Sequence, residues 1–233
     1  MKLLPRKEKN SKGKGSVNLI AYFNTKSPIT EQYRQIRNNI NFASVDKEIK
    51  SIVVTSPEPA DGKSTTSANL AIVLAQQGKR VLLVDADLRK PSVHYAFYIS
   101  NLEGLTSVLT KEKSIKDVIS RTNIPNLDVL PCGVIPPNPS ELLDSNAMET
   151  MINELKVTFD FVIFDTPPIL AVPDSQIMAN KCDGAILVVS SGKTRKEAAM
   201  KSKYLLEKAN ANMLGVVING VDSKNGGYIY NYV

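Results

Sequence analysis

Long apolar runs are missing from this sequence of 233 residues. No stretch approaches the ~18 consecutive apolar residues that a membrane-spanning helix requires. Residues 1–15 are basic and lack the apolar segment of a secretory signal peptide. The two cysteines, Cys132 and Cys182, are too few for a disulfide framework and show no metal-ligand spacing. These absences predict a soluble cytoplasmic protein with reduced thiols.

Outside the first residues of the chain, neither sign of charge is in clear excess. The net charge is +6 at pH 7, but residues 1–14 alone hold six basic side chains and one acidic one. The remaining residues hold 23 basic and 22 acidic side chains. We therefore predict a basic flexible tail over residues 1–16 and expect no nucleic-acid binding. Such a tail either solvates the terminus or lies on an anionic membrane surface or an acidic partner.

Short apolar runs alternate with helical segments between the two ends. The runs that predict strands are 51–55, 80–84, 127–130, 161–164, 185–189 and 214–218. Continuous apolar strands separated by helices indicate a mostly parallel sheet with both faces covered. Helices are predicted over 63–77, after Ser145, and from a capping box of Thr194 and Glu197. The pattern predicts one α/β domain over residues 17–221, followed by a flexible tail over 222–233.

A glycine-lysine-serine sequence lies between the first predicted strand and its helix. Residues 57–65, PEPADGKST, follow the phosphate-loop pattern G-x-x-x-x-G-K-[ST], although Pro57 replaces the first glycine. In this pattern the loop amides and the positive end of the helix face phosphate. The lysine reaches the β- and γ-phosphates, and the serine hydroxyl holds Mg²⁺. We predict that nucleotide is bound by Asp61, Gly62, Lys63, Ser64 and Thr65.

Three aspartates follow two of the predicted strands. Asp85 and Asp87 come after the run 80–84, and Asp165 comes directly after 161–164. The carboxyl ends of parallel strands open on one edge of a sheet, so these side chains should converge on the phosphate loop. An aspartate after a strand is otherwise usually a helix cap. Three carboxylates beside Lys63 are better explained by Mg²⁺ and a substrate hydroxyl, as phosphoryl transfer requires.

The segments DADLRKP (85–91), PPNPSELL (136–143) and DTPP (165–168) resemble the bacterial tyrosine kinases of capsule and exopolysaccharide operons. The resemblance covers residues 27–233. It implies a three-layer P-loop NTPase fold with a mostly parallel central sheet, related to the ParA/MinD class. It also implies that Lys63, Ser64, Asp87 and Asp165 bind Mg·ATP and that Asp85 is the base for a tyrosine hydroxyl. Which aspartate is base and which is metal ligand stays open. Asn219, after the last strand, is a further candidate for contact with the adenine.

The two ends of the predicted domain carry patterns with two interpretations each. On sequence alone, Glu31, Arg34 and Arg37 form a solvated helix face with weak pairs. The resemblance implies instead that they make subunit contacts in a ring. Tyr228, Tyr230 and Tyr232 alternate as in an edge strand, but Gly226 and Gly227 separate them from the domain. They resemble a tyrosine cluster that is autophosphorylated in trans.

The leading hypothesis is an ATP-dependent protein-tyrosine kinase that phosphorylates itself and regulates capsular or exopolysaccharide synthesis. The resemblance implies three kinds of partner: a membrane adaptor whose cytoplasmic tail activates the kinase, protein-tyrosine substrates, and a counteracting phosphatase. The adaptor would hold the protein at the inner face of the cell membrane. The first alternative is a ParA/MinD-type positioning ATPase, whose extra lysine early in the phosphate loop is replaced here by Glu58. The second is a non-catalytic, ATP-gated scaffold.

Overall fold

A central seven-stranded sheet organises residues 17–43 and 48–221, which are the parts of the chain that the computed structural model describes. Its strands are β1 (Ser51–Thr55), β2 (Val81–Asp85), β3 (Ser120–Arg121), β4 (Leu127–Leu130), β5 (Phe161–Asp165), β6 (Gly184–Ser190) and β7 (Met213–Asn219). They lie in the order β3-β4-β2-β5-β1-β6-β7. All neighbours are parallel except β3 and β4. This confirms the predicted mostly parallel sheet.

Ten helices accompany the strands within the described ranges, and all but the first two lie between strands. They are α1 (Ile20–Phe23), α2 (Pro28–Ala43), α3 (Lys63–Ala75), α4 (Val93–Phe97), α5 (Leu105–Leu109), α6 (Ile115–Val118), α7 (Pro139–Asp144), α8 (Asn146–Thr158), α9 (Asp174–Lys181) and α10 (Lys196–Lys208). None of the helices in this part of the chain is both long and apolar enough to span a membrane.

Two apolar cores, one on each face of the sheet, give the three layers. Successive residues of a strand point to opposite faces, so Ile52 and Val54 of β1 enter one core and Val53 enters the other. The first core is closed by α1, α2 and α3, and the second by α5, α8, α9 and α10, among others. The central strands are buried on both faces. This burial explains why they are continuous apolar runs rather than alternating ones.

Helix ends test the predicted caps. The hydroxyl of Ser145 accepts a hydrogen bond from Met148 N at 3.3 Å, which confirms it as the cap of α8. The predicted capping box at Thr194 is wrong. The Thr194 hydroxyl accepts from Ser190 N at 2.7 Å and closes a turn after β6, so Arg195 precedes α10 instead. The third helix, α3, ends at Ala75, two residues before the predicted Gln77.

Several short elements were not predicted. The two-residue strand β3 pairs antiparallel with β4, and the helices α4 to α6 have five residues or fewer. Elements of this length carry too few residues to show a periodic apolar pattern. The two predicted tails, including Tyr228, Tyr230 and Tyr232, lie outside the described residues.

Candidate active site

The phosphate loop turns into α3 at Gly62. This glycine precedes the helix with a φ of +100°, and Ala60 before it also has a positive φ of +64°. A Cβ at Gly62 would lie 2.0 Å from Asn219 Nδ2, so the close approach of β7 also requires glycine here. Asn219 Nδ2 donates to the carbonyl of Asp61 at 3.0 Å. Asn219 thus lies against the phosphate loop, and its contact with adenine stays a prediction.

Lys63 begins α3 and lies between two of the predicted carboxylates. Its Nζ is 2.9 Å from Asp87 Oδ2 and 3.6 Å from Asp165 Oδ2. Burial alone would lower the pKa of Lys63, but Asp165 and Asp87 outweigh burial and raise it. Ser64 and Thr65 follow in the first turn of α3, and Ser64 Oγ is 3.3 Å from Lys63 Nζ. The structure therefore brings the phosphate loop and both carboxylates together, as predicted.

Asp85 is the third carboxylate and is fully buried. Its Oδ2 accepts from the backbone N–H groups of Ser92 and Val93 at 2.9 Å each, and its Oδ1 accepts from Asp87 N at 3.3 Å. Burial, and next the charge of Asp165, raise the pKa of Asp85 to about 7 against the opposing effects of the Val93 and Ser92 N–H groups and of Lys63. The contacts at the start of α4 match the helix-capping interpretation. The raised pKa suits a group that accepts a proton near neutral pH.

Asp165 has one oxygen with no hydrogen-bond partner. Oδ1 accepts from Ser67 Oγ at 3.2 Å, whereas Oδ2 is buried and lies 3.6 Å from Lys63 Nζ. Burial is the main cause that raises the pKa of Asp165. No group of three acidic, histidine or cysteine side chains able to hold a metal occurs among residues 17–43 and 48–221. Mg²⁺ needs few protein ligands when phosphate and water complete its shell, so Ser64, Asp87 and Asp165 fit that ion.

A second polar cluster, which the sequence did not reveal, anchors the segment after Asp87. Arg89 donates to the buried Asp174 through Nε and Nη2 at 2.9 and 3.1 Å, and Nη2 also donates to Ser140 Oγ at 2.9 Å. Lys90 N donates to Asp87 Oδ1 at 2.9 Å. The Arg89 anchor thus joins the 85–91 segment to α7 and α9. Its only sequence signal is that Arg89 and Ser140 lie in segments that carry the family resemblance.

The charged face of α2 makes contacts within the chain. Arg34 Nη1 is 2.9 Å from Glu31 Oε2, and Arg34 Nη2 donates to the Thr25 carbonyl at 3.1 Å. Arg37 Nη1 donates to the carbonyl of Val73 in α3 at 3.0 Å. The Glu31–Arg34 pair matches the solvated-face interpretation. The role of Glu31, Arg34 and Arg37 in a ring stays a prediction.

The chain is similar to several known proteins over most of its length. A family model described as an AAA domain matches residues 49–201. Tyrosine-protein kinase YwqD of Bacillus subtilis (strain 168) is 53% identical over 223 residues, which cover 95% of this chain and 94% of YwqD. The match to YwqD therefore extends well beyond the nucleotide motifs.

Solved structures share the same fold. The kinase domain of the Escherichia coli tyrosine kinase ETK has a TM-score of 0.86 at 33% identity, covering 93% of this chain and 86% of that one. The chimerical protein CapA2B2 has a TM-score of 0.83 at 46% identity, covering 86% and 88%. MinD of Pyrococcus horikoshii OT3, complexed with Mg-ADP, is more distant, with a TM-score of 0.64 at 26% identity over 75% of this chain and 72% of MinD. The P-loop NTPase fold is confirmed, and the chain belongs to the family of bacterial tyrosine-protein kinases.

Proposed function

We propose that this tyrosine kinase transfers the γ-phosphate of ATP to tyrosine hydroxyls, including those of its own C-terminal tail. The observation that carries the proposal is the position of Lys63. Its ammonium lies at the start of α3, within 2.9 Å of Asp87 and 3.6 Å of Asp165. One sheet edge therefore offers a cation for phosphate, carboxylates for a metal, and the positive end of a helix. These are the parts that phosphoryl transfer uses.

Each residue of the site has a separate task in this proposal. Lys63 and the amides of Gly62, Ser64 and Thr65 bind the phosphates. Ser64, Asp87 and Asp165 hold Mg²⁺, which when bound supplies charge neutralisation at the phosphates. MinD of Pyrococcus horikoshii OT3, complexed with Mg-ADP, supports this assignment of nucleotide and metal. Asn219, whose side chain lies against the phosphate loop, contacts the adenine in this proposal.

Asp85 accepts the proton of the attacking tyrosine. The phenol loses its proton to an Asp85 oxygen as the tyrosine oxygen bonds to the γ-phosphorus and ADP leaves. A base is most effective when its pKa is near the working pH, and burial raises the pKa of Asp85 to about 7. Its neighbour Asp165 belongs to the same edge, so Asp85 is close to the predicted Mg·ATP site.

The tail tyrosines Tyr228, Tyr230 and Tyr232 are the proposed self-substrates. They are phosphorylated in trans by a neighbouring copy in a ring that Glu31, Arg34 and Arg37 hold together. Each phosphate adds nearly two negative charges at neutral pH. Because these charges repel the carboxylates of the site, the phosphorylated tail leaves it and the ring loosens. A phosphatase that removes the phosphates would reset the cycle.

A membrane adaptor completes the proposed system. Its cytoplasmic tail docks on the kinase, raises activity and places the kinase at the inner face of the membrane, where it regulates capsular or exopolysaccharide synthesis. The similarity to a protein described as the chimerical CapA2B2 supports an arrangement in two parts. We expect weak activity from the chain alone and stronger activity with an adaptor tail.

Labelled ATP and phosphotyrosine detection test the proposal. The parent protein should label on tyrosine, and Lys63→Met should reduce labelling at least ~100-fold because the charge at the transferred phosphate is lost. Lys113→Met, which removes an exposed pair with Glu103, is the matched control and should label normally. ATP hydrolysis without phosphotyrosine, with or without an adaptor tail, would favour the MinD-type alternative. ATP binding without either reaction would favour the scaffold.

A further inference from the structure

The phosphate loop contains a buried carboxylate that its own backbone satisfies only in part. Asp61 is fully buried, and its Oδ2 accepts from Glu58 N at 3.0 Å. Its Oδ1 is buried as well and has no hydrogen-bond partner. A carboxylate that has lost its water needs a nearby counter-charge. Asp61 therefore places an incompletely paired carboxylate within the phosphate loop itself, between Pro57 and Gly62.

The counter-charge comes from the segment between β6 and α10. Lys193 Nζ is 3.5 Å from Asp61 Oδ1 and donates to the carbonyl of Pro59 at 3.0 Å. Lys193 is half-exposed, so it reaches the buried carboxylate from the solvent side while its own charge stays hydrated. Arg195 adds a longer contact of 4.0 Å to Glu58. Two basic residues of one segment therefore face two acidic residues of the phosphate loop.

The segment that carries Lys193 is itself held in place. Ser190 N donates to Thr194 Oγ1 at 2.7 Å, and Thr194 N donates back to the Ser190 carbonyl at 2.9 Å. Ser191 N donates to the carbonyl of Asn219 at 2.8 Å, the residue whose side chain contacts the loop at Asp61. The turn after β6, the end of β7 and the phosphate loop thus form one connected unit.

We propose that Lys193 is a positioning residue of the nucleotide site, which sets the affinity for ATP by holding the phosphate loop through Asp61 and Pro59. This inference rests on the proposed binding of ATP by that loop. The loop has a positive φ at Ala60 and carries Pro57 where the pattern has glycine, so its shape depends on outside contacts. Without Lys193, the Asp61 carboxylate stays buried with no cation beside it, and the loop moves to reach water. The backbone N–H groups of the loop then no longer converge on the position of the bound phosphates.

Calorimetric titration of Mg·ATP into the full chain tests this inference. Lys193→Met should raise the Kd for ATP at least roughly tenfold, because it removes the cation beside a buried carboxylate of the phosphate loop. Lys193→Arg, which keeps the charge, should recover most of the affinity. Lys203→Met is the matched control, because Lys203 pairs with Glu207 on the exposed side of α10, and its Kd should equal that of the parent.

A second substitution separates positioning from general damage to the fold. Once Asp61→Asn has removed the buried charge, adding Lys193→Met should change the Kd little. A Kd for Lys193→Met equal to that of the parent would overturn the inference. A double variant whose fold-increase in Kd equals the product of the two single-variant increases would overturn it as well. If Lys193→Met does not fold, two other comparisons of the Kd decide. Lys193→Arg should bind ATP nearly as well as the parent, and the double variant should bind it as well as Asp61→Asn alone. A parent that binds no ATP would instead contradict the proposed function.

Discussion

Asp85 and Asp165 are paired residues at the ends of the neighbouring parallel strands β2 and β5. Both carboxylates are fully buried, and the charge of Asp165 helps to raise the pKa of Asp85 to about 7. Lys63 Nζ lies closer to Asp87 Oδ2, at 2.9 Å, than to Asp165 Oδ2, at 3.6 Å. The surroundings of Asp85 therefore differ from those of Asp87 and Asp165, which fits the proposal of one base beside two metal ligands.

Asp85→Ala should separate ATP binding from phosphoryl transfer. We expect tyrosine labelling to fall at least ~100-fold, the usual loss for a general base, with affinity for Mg·ATP largely retained. The measurement is labelling at saturating ATP together with calorimetric titration. Asp87→Ala is the comparison, since it removes a proposed metal ligand and should weaken binding. If Asp85→Ala weakens binding as much as Asp87→Ala, Asp85 is a metal ligand or only a helix cap, and its role as base is wrong.

The Arg89 anchor should matter through its geometry as well as its charge. Arg89→Lys keeps the charge but cannot form the two parallel bonds to Asp174, so Asp87 and the residues around it lose their fixed position. We expect lower tyrosine labelling at saturating ATP and a lower melting temperature. Arg89→Ala leaves the buried Asp174 carboxylate with no cation beside it, although Ser140 Oγ still donates to it at 2.7 Å. We expect a cost of about 1.5–3 kcal/mol of unfolding free energy, as for lost hydrogen bonds to a charged group. Arg80→Lys, at an exposed pair with Asp160, should change neither quantity.

Away from the site, Asp183 should contribute a pH-dependent part of the stability. Burial acts to raise the pKa of Asp183, but hydrogen bonds from Lys156, Ser51 and Lys50 outweigh it and lower the pKa below 3.8. A carboxyl group whose pKa is lower in the folded state stabilises the fold above its unfolded pKa. That contribution is lost as the pH falls through the folded pKa.

Asp183→Asn should therefore lower the unfolding free energy at pH 7 by about 1–3 kcal/mol, as expected for lost charged hydrogen bonds. The difference from the parent should shrink as the pH falls below 4 in urea titrations. Asp144→Asn, at an exposed carboxylate, is the control and should show little difference at either pH. A deficit of Asp183→Asn that stays constant with pH would contradict the assignment.

Much of the fold follows from sequence patterns because the central strands are buried on both faces. Such strands must be continuous apolar runs, and the runs 51–55, 80–84 and 161–164 correctly predicted β1, β2 and β5. The convergence of Lys63, Asp87 and Asp165 follows from one rule, that parallel strands end on the same edge.

Contacts between distant segments could not be found in the same way. Lys193 and Asp61 are more than a hundred residues apart, and neither has a local pattern that points to the other. Arg89 and Asp174 are 85 residues apart, and again neither has a local pattern that points to the other. Thr194 shows the converse problem, since its local pattern fits a helix cap while the turn after β6 uses the hydroxyl.

Alanine at Glu31, Arg34 and Arg37 together should dissociate the proposed ring. Head-to-tail subunit contacts use different patches on the two partners, so removing one patch prevents closure. The buried apolar side chains of α2, Tyr33 and Ile40, stay intact, and ATP binding should persist. Because Arg37 also contacts Val73 in α3, Glu31→Ala with Arg34→Ala is the companion variant that spares this contact. Light scattering that gives the same mass for the triple variant and the parent would contradict the prediction.

Transfer between copies is the central claim, and a mixing experiment tests it most directly. One protein carries Lys63→Met with an intact tail, and the other is active but has phenylalanine at Tyr228, Tyr230 and Tyr232. The two copies are distinguished by size and incubated together with labelled ATP and an adaptor tail. The account predicts phosphotyrosine on the tail of the inactive copy. No label on that copy, while the parent labels well with the same adaptor tail, would contradict it.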